Sequence, residues 1–130
     1  MKKAHLFISA LGLIPLALSY GSFQNEIIPF LYDFKLETVD SAHIFRAVMG
    51  LYFAMIIFWT IGVFKPSYWQ AATISNVVFM GGLAIGRLIS FAYDGIPDSK
   101  YLLMYCSLEI VFTIWGIINL KKYGNDSTSN

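Results

Sequence analysis

Three charged residues sit where the surrounding sequence is apolar: Arg46, Arg87 and Glu109. An ionised side chain in hydrocarbon is costly, so each needs a partner, a water-filled pocket or a ligand. Arg87 lies in the stretch Gly81–Pro97, which begins inside an apolar run and ends in the turn Asp94-Gly95-Ile96-Pro97-Asp98. Helical rise places Arg46 about 9 Å, Arg87 about 10 Å and Glu109 about 13 Å below one membrane boundary, so the three share a level. Facing inward they would neutralise one another, leaving a formal charge of +1 for the trio. Asp94, seven residues after Arg87 and on the same helical face, would bring the sum to zero. With Asp94 held at the surface instead, the cluster becomes a cation-rich cavity. That suits a carboxylate, a phosphate or a lipid head group, because a guanidinium offers a fork of donors. Two readings stand side by side: an ion-pair network that fixes helix register and a binding site.

Other polar positions fall around this cluster. Asn76 lies eleven residues before Arg87 on the same stripe, and Thr113 lies four after Glu109. With Asn119 they could extend a polar path inward, or serve as hydrogen bonds between helices. His43, three residues before Arg46, is placed either in the outer cluster or in solvent at a helix end. His5 falls at the opposite interface, so the two histidines make no joint metal site. Cys106 is the single cysteine, which rules out an intramolecular disulfide and any CxxC centre. It reads as a packed apolar group. Gly82, Gly86 and Ser90 form a stripe of small residues beside Arg87, expected to let helices pack closely within the bundle, with a dimer face as the second reading. No motif for haem, flavin or nicotinamide is present, so no cofactor is expected and enzymatic activity is the less favoured reading.

The elements that position these residues are apolar spans. Of 130 residues 57% are hydrophobic and 13% charged, with a mean hydropathy of +0.62. Soluble domains carry about 25% charged residues, so the chain reads as a membrane protein. The net charge of +1 offers no basis for nucleic-acid binding. Residues 4–20, 42–64, 70–93 and 101–120 are the four spans, within one domain over residues 1–122. Pro15 is expected to kink the first span. A basic start before a short apolar run also describes a signal peptide, but Leu18-Ser19-Tyr20 is a poor cleavage site, so the segment is expected to be retained. Pro66 stops the second span, Lys121-Lys122 ends the fourth, and residues 123–130 read as a disordered polar tail. In the first loop, Ile27, Phe30, Leu31 and Phe34 recur at helical spacing, predicting a short amphipathic helix on the membrane surface. Lys2, Lys3, Lys65, Lys121 and Lys122 collect on one side against Lys35 and Lys100 on the other, which places both termini in the cytoplasm.

The segments Arg46-Ala47-Val48-Met49-Gly50-Leu51-Tyr52 and Gly81-Gly82-Leu83-Ala84-Ile85-Gly86-Arg87, the latter continuing through Asp94-Gly95-Ile96-Pro97 to Glu109, resemble an uncharacterised bacterial family of small four-helix integral membrane proteins, a domain of unknown function. The resemblance covers residues 1–122. It implies an all-α four-helix membrane fold in the cell (inner) membrane and weight on Arg46, Arg87, Asp94 and Glu109, and no activity. The layout is more distantly similar to DoxX-like proteins, some of them tied to quinone or thiol redox systems. Three functions follow as expectations: binding of a small acidic molecule or lipid head group at the cluster; a quinone- or redox-associated membrane subunit; and a proton-coupled carrier with Glu109 as the titrating group. Four short helices make a poor carrier alone, so the last requires a homo-oligomer. The lipid bilayer is the one partner common to all three.

Overall fold

A computed structural model describes residues 2–126. Five α-helices follow one another: α1 (Ala4–Gly21), α2 (Gln24–Leu31), α3 (Val39–Phe64), α4 (Trp69–Tyr93) and α5 (Lys100–Tyr123). Among the described residues there is no strand. Four of the helices are long and apolar enough to cross a membrane, and α2 is the short helix between the first two. Residues 127–130 of the expected polar tail lie outside the described residues.

Local sequence explains where the helices start and stop. Thr38 caps α3 with a reciprocal pair of bonds: Ser41 N donates to Thr38 Oγ1 at 3.0 Å and Thr38 N donates to Ser41 Oγ at 3.3 Å. These satisfy donors that a helix start leaves free. Lys65 ends α3, and Pro66 opens the 3₁₀ turn Pro66–Tyr68 that leads into α4. After α4 the chain reverses at Gly95, whose φ of +91° an L side chain rarely adopts. Lys121 and Lys122 lie in the last turn of α5, where cations meet the negative end of the helix dipole.

The helices do not share burial equally. α1 packs mainly along α3, and α4 along α5, with α3 against α4 joining the two pairs. Half of the α1 span is buried, against 17–22% of the other three. α1 is therefore the interior helix, while α3, α4 and α5 turn residues such as Ile57, Val78, Ile85 and Ile118 outward. On a soluble protein such a surface would aggregate; on a spanning bundle it meets lipid tails. The core runs from Leu6 and Trp69 at one end through Trp59 and Ile56 to Tyr52 and Tyr20 at the other.

Cross-links at each end set the helix directions. At one end Trp69 Nε1 donates to the Lys2 carbonyl at 2.9 Å, and Asn119 Nδ2 lies 2.8 Å from His5 Nδ1. The start of α1, the start of α4 and the end of α5 thus share an end, with Lys2, Lys121 and Lys122 close by. At the opposite end Ser99 Oγ donates to the Leu31 carbonyl at 2.7 Å, tying α2 to the start of α5. α2 turns one side to the bundle and leaves the other open. Ile28 is fully buried and Gln24 and Tyr32 join it, whereas Phe30 is 74% exposed and Phe34 lies beyond the helix. Position 28 points at the bundle because α2 is anchored at both flanks, by α1 before it and by Ser99 after it.

Candidate functional site: the Arg87–Glu109 pair and its groove

α4 and α5 bring Arg87 and Glu109 together. Arg87 Nε donates to both carboxylate oxygens of Glu109, at 2.8 Å to Oε2 and 3.1 Å to Oε1. The Glu109 side chain is 6% exposed and that of Arg87 19%. Among the described residues this is the one ion pair, and all of the hydrogen bonds that Arg87 makes run through Nε. The outer part of the guanidinium is left to whatever lies beside it. Thr113 Oγ1 donates to the Glu109 carbonyl at 2.6 Å, so this hydroxyl is engaged by its own helix rather than lining a path. Cys106, one turn before Glu109, is buried.

A shell of aromatic groups surrounds the pair. The Tyr105 ring lies 5.9 Å from Arg87 Cζ. Tyr20 and Tyr32 share a hydrogen bond between their hydroxyls at 2.9 Å, and the Tyr20 and Tyr52 rings are 5.6 Å apart. Burial, reinforced by Tyr20, pushes the Tyr32 phenol well above its ordinary range, so it stays an O–H group that can donate. Sequence reasoning passed over these tyrosines because aromatic residues in a membrane chain are usually interface markers. A usable signal existed for Tyr105 alone, four residues before Glu109 and hence on its face.

Arg46 does not join this pair. Its Nε donates to the Gly21 carbonyl at 3.3 Å, the last residue of α1. With the Gln24 amide turned to satisfy both its ends, its oxygen accepts from Arg46 Nη2 at 3.2 Å and its nitrogen donates to the Tyr20 carbonyl at 2.9 Å. The expected trio is thus a pair plus a helix cap. A helix C-terminus presents unpaired carbonyls and a partial negative charge, which satisfy a cation as a carboxylate does. The charge of the cluster falls with it from +1 to zero. His43 is exposed on the second turn of α3, away from the pair.

Arg87 borders a groove of about 480 Å³ lined also by Gly82, Gly86, Ser90, Asp94 and Pro97. Asp94 is exposed at the end of α4, and among the described residues it makes no ion pair. The small-residue stripe forms the floor of this groove rather than a seam between helices of this bundle. A Cβ added at Gly82 or Gly86 would meet nothing within 4 Å. Gly81, one residue away, is the glycine that faces α5, where a Cβ would lie 3.4 Å from Thr113 Cγ2. A second, smaller cavity of about 90 Å³ runs behind the pair between α1, α4 and α5, with Ser9 and Glu109 on its wall. Asn76 is fully buried near the opposite end, remote from the groove. Among the described residues no group of three His, Cys, Asp or Glu side chains could hold a metal ion.

A family model described as a domain of unknown function (DUF4345) matches residues 1–120. The chain belongs to the DUF4345 family. No curated protein and no solved structure matches it. With four spanning helices, this DUF4345 chain is a multi-pass integral membrane protein.

Proposed function

We propose that the protein binds a phospholipid head group in the groove of α4, with Arg87 as the phosphate receptor and Asp94 as the contact for an amine. The observation that carries this reading is the division of the Arg87 guanidinium. Glu109 takes Nε and holds the group in place, and Arg87 also lines a groove of about 480 Å³ beside α4. A pre-positioned guanidinium is a directional donor for phosphate oxygens. Electrostatics selects the kind of head group. Arg87 and Glu109 cancel and Asp94 adds one negative charge, so a purely anionic ligand gains little from the local field. A zwitterion places phosphate at Arg87 and its amine toward Asp94. The Gly82–Gly86–Ser90 floor leaves room for an acyl chain to follow α4. The basic residues at the end that holds both termini favour that end in the cytoplasm, which turns the groove to the outer leaflet of the cell membrane.

Native mass spectrometry of the protein released from mild detergent tests this. The parent should carry a phospholipid of amine-bearing class. Gly86→Leu, which fills the groove without touching the ion pair, should lose that adduct while melting as the parent does. A parent free of phospholipid, or a Gly86→Leu variant that retains it in full, overturns the reading. A small acid in place of the lipid would identify the groove as a site for a soluble anion instead.

A further inference from the structure

The end of the bundle that holds both termini carries a second polar cluster, separate from the groove and independent of the reading above. His5 and Asn76 are fully buried, Ser9 is 2% exposed and Asn119 5%. Four of their polar atoms have no partner among the described residues: His5 Nε2, Ser9 Oγ, and both ends of the Asn76 amide. Buried amide and hydroxyl groups without a partner are costly, and nearly all in native proteins have one. The Lys2 carbonyl, which accepts from Trp69 Nε1 at 2.9 Å, also lies near His5, but Ser9 Oγ and the Asn76 amide have no such partner among the described residues.

The atoms converge. His5 and Asn76 both come within 4 Å of the point where a Gly116 side chain would begin, His5 from α1 and Asn76 from α4. Ser9 is one turn above His5 on the same face of α1. With the Asn119 amide nitrogen donating to His5 Nδ1, the ring proton sits on Nε2. The unpartnered set therefore contains two donors, Nε2–H and the Asn76 NH₂; one carbonyl acceptor, Asn76 Oδ1; and one hydroxyl that can act either way. An anion would leave the amide oxygen unsatisfied, and a metal cation would leave the N–H groups unsatisfied. Space is tight, since a Cβ at Gly116 would approach Val77 Cγ2 to 2.5 Å.

We propose that His5, Ser9 and Asn76 form an internal water site between α1, α4 and α5. Water is the molecule that both donates and accepts at this size, and buried waters of this kind make about three bonds to otherwise unpaired groups. Its consequence is mechanical. α1 packs chiefly on α3 and touches α4 and α5 little, so bridging water and the His5–Asn119 bond tie its first turns to the other helix pair.

The test is water-edited solid-state NMR on protein in phospholipid bilayers, with ¹⁵N-labelled histidine and tryptophan. The chain has two histidines, and His43 is exposed, which gives an internal reference for full hydration. The indole N–H of Trp59, a fully buried residue, gives the dry reference. The His5 ring should gain magnetisation from water nearly as fast as His43. Ser9→Ala with Asn76→Leu should slow it to the rate of Trp59. A His5 signal as slow as Trp59 in the parent overturns the proposal. Melting of the single variant Asn76→Leu gives a second reading. A hydrated site predicts a lower midpoint, because bridged partners are stranded. A raised midpoint, as expected when an unpaired amide in a dry core is replaced by an isosteric apolar group, overturns it.

Discussion

The two arginines of the chain lie on neighbouring helices and solve the same problem differently. Arg87 is drawn into the bundle by a carboxylate on α5, which fixes one edge of its guanidinium and frees the other. Arg46 is exposed and bonds the carbonyl end of α1, with Gln24 beside it. The first arrangement joins two spans through a pair of full charges. The second completes the end of a helix and joins α3 to α1 through backbone oxygen. A charge within a membrane helix is therefore no sufficient sign of a charge cluster, because a helix terminus supplies a counter-charge that has no residue letter.

The contrast can be broken most sharply at Glu109. Glu109→Gln removes the carboxylate and leaves Arg87 mostly buried without an anion, so detergent melting should show a loss of about 3 kcal/mol. Replacing both partners, Arg87→Met with Glu109→Leu, should recover most of that loss, since the penalty lies in the unpaired charge. If the single variant melts with the parent, the pair is solvated and the two arginines do not differ. Arg46→Leu comes next. It removes a hydrogen bond and a dipole contact at an exposed position, and the melting curve should move by about 1 kcal/mol or less. A loss as large as that at Glu109 would mean that Arg46 carries a second buried charge partner. The smallest effect belongs to the groove. Gly86→Ala adds a methyl that meets nothing within 4 Å and replaces a poor helix former, so stability should hold or rise by up to about 1 kcal/mol. A clear loss would show that the stripe is packed against another surface.

Much of the fold was legible in the sequence. Apolar runs long enough to span, broken by Pro66 and by the turn at Asp94–Pro97, define four helices that the structure reproduces. The link between Arg87 and Glu109 was also readable, because cost alone demands a partner and few candidates exist. What failed to read was direction around each helix. Counting residues gives an expected depth, but azimuth depends on neighbours the count does not include, so Arg46 bonds Gly21 and does not meet Glu109. The same ambiguity holds for α2, where Ile28 faces the bundle and Phe30 is exposed. In a membrane protein both the lipid-facing and the core-facing sides are apolar, so an apolar stripe has no sign. Small residues are ambiguous in a like manner. Gly81 closes on α5 while Gly82 and Gly86 open a groove, and nothing in their letters distinguishes them. The bond between His5 and Asn119 spans 114 residues and could not be read from either end.

That last bond also bears on how the protein is made. α1 precedes the other three spans in the chain and has half its length buried in the finished bundle. It is a helix suited to the company of protein rather than lipid. Inserted alone it would hold His5 and Ser9 toward hydrocarbon, and the partner that relieves His5 belongs to α5, three spans later in the chain. Insertion and packing are separable steps for membrane helices. In this chain the span that holds His5 precedes the one that holds Asn119, so this bond can form only once the later span docks beside the earlier one.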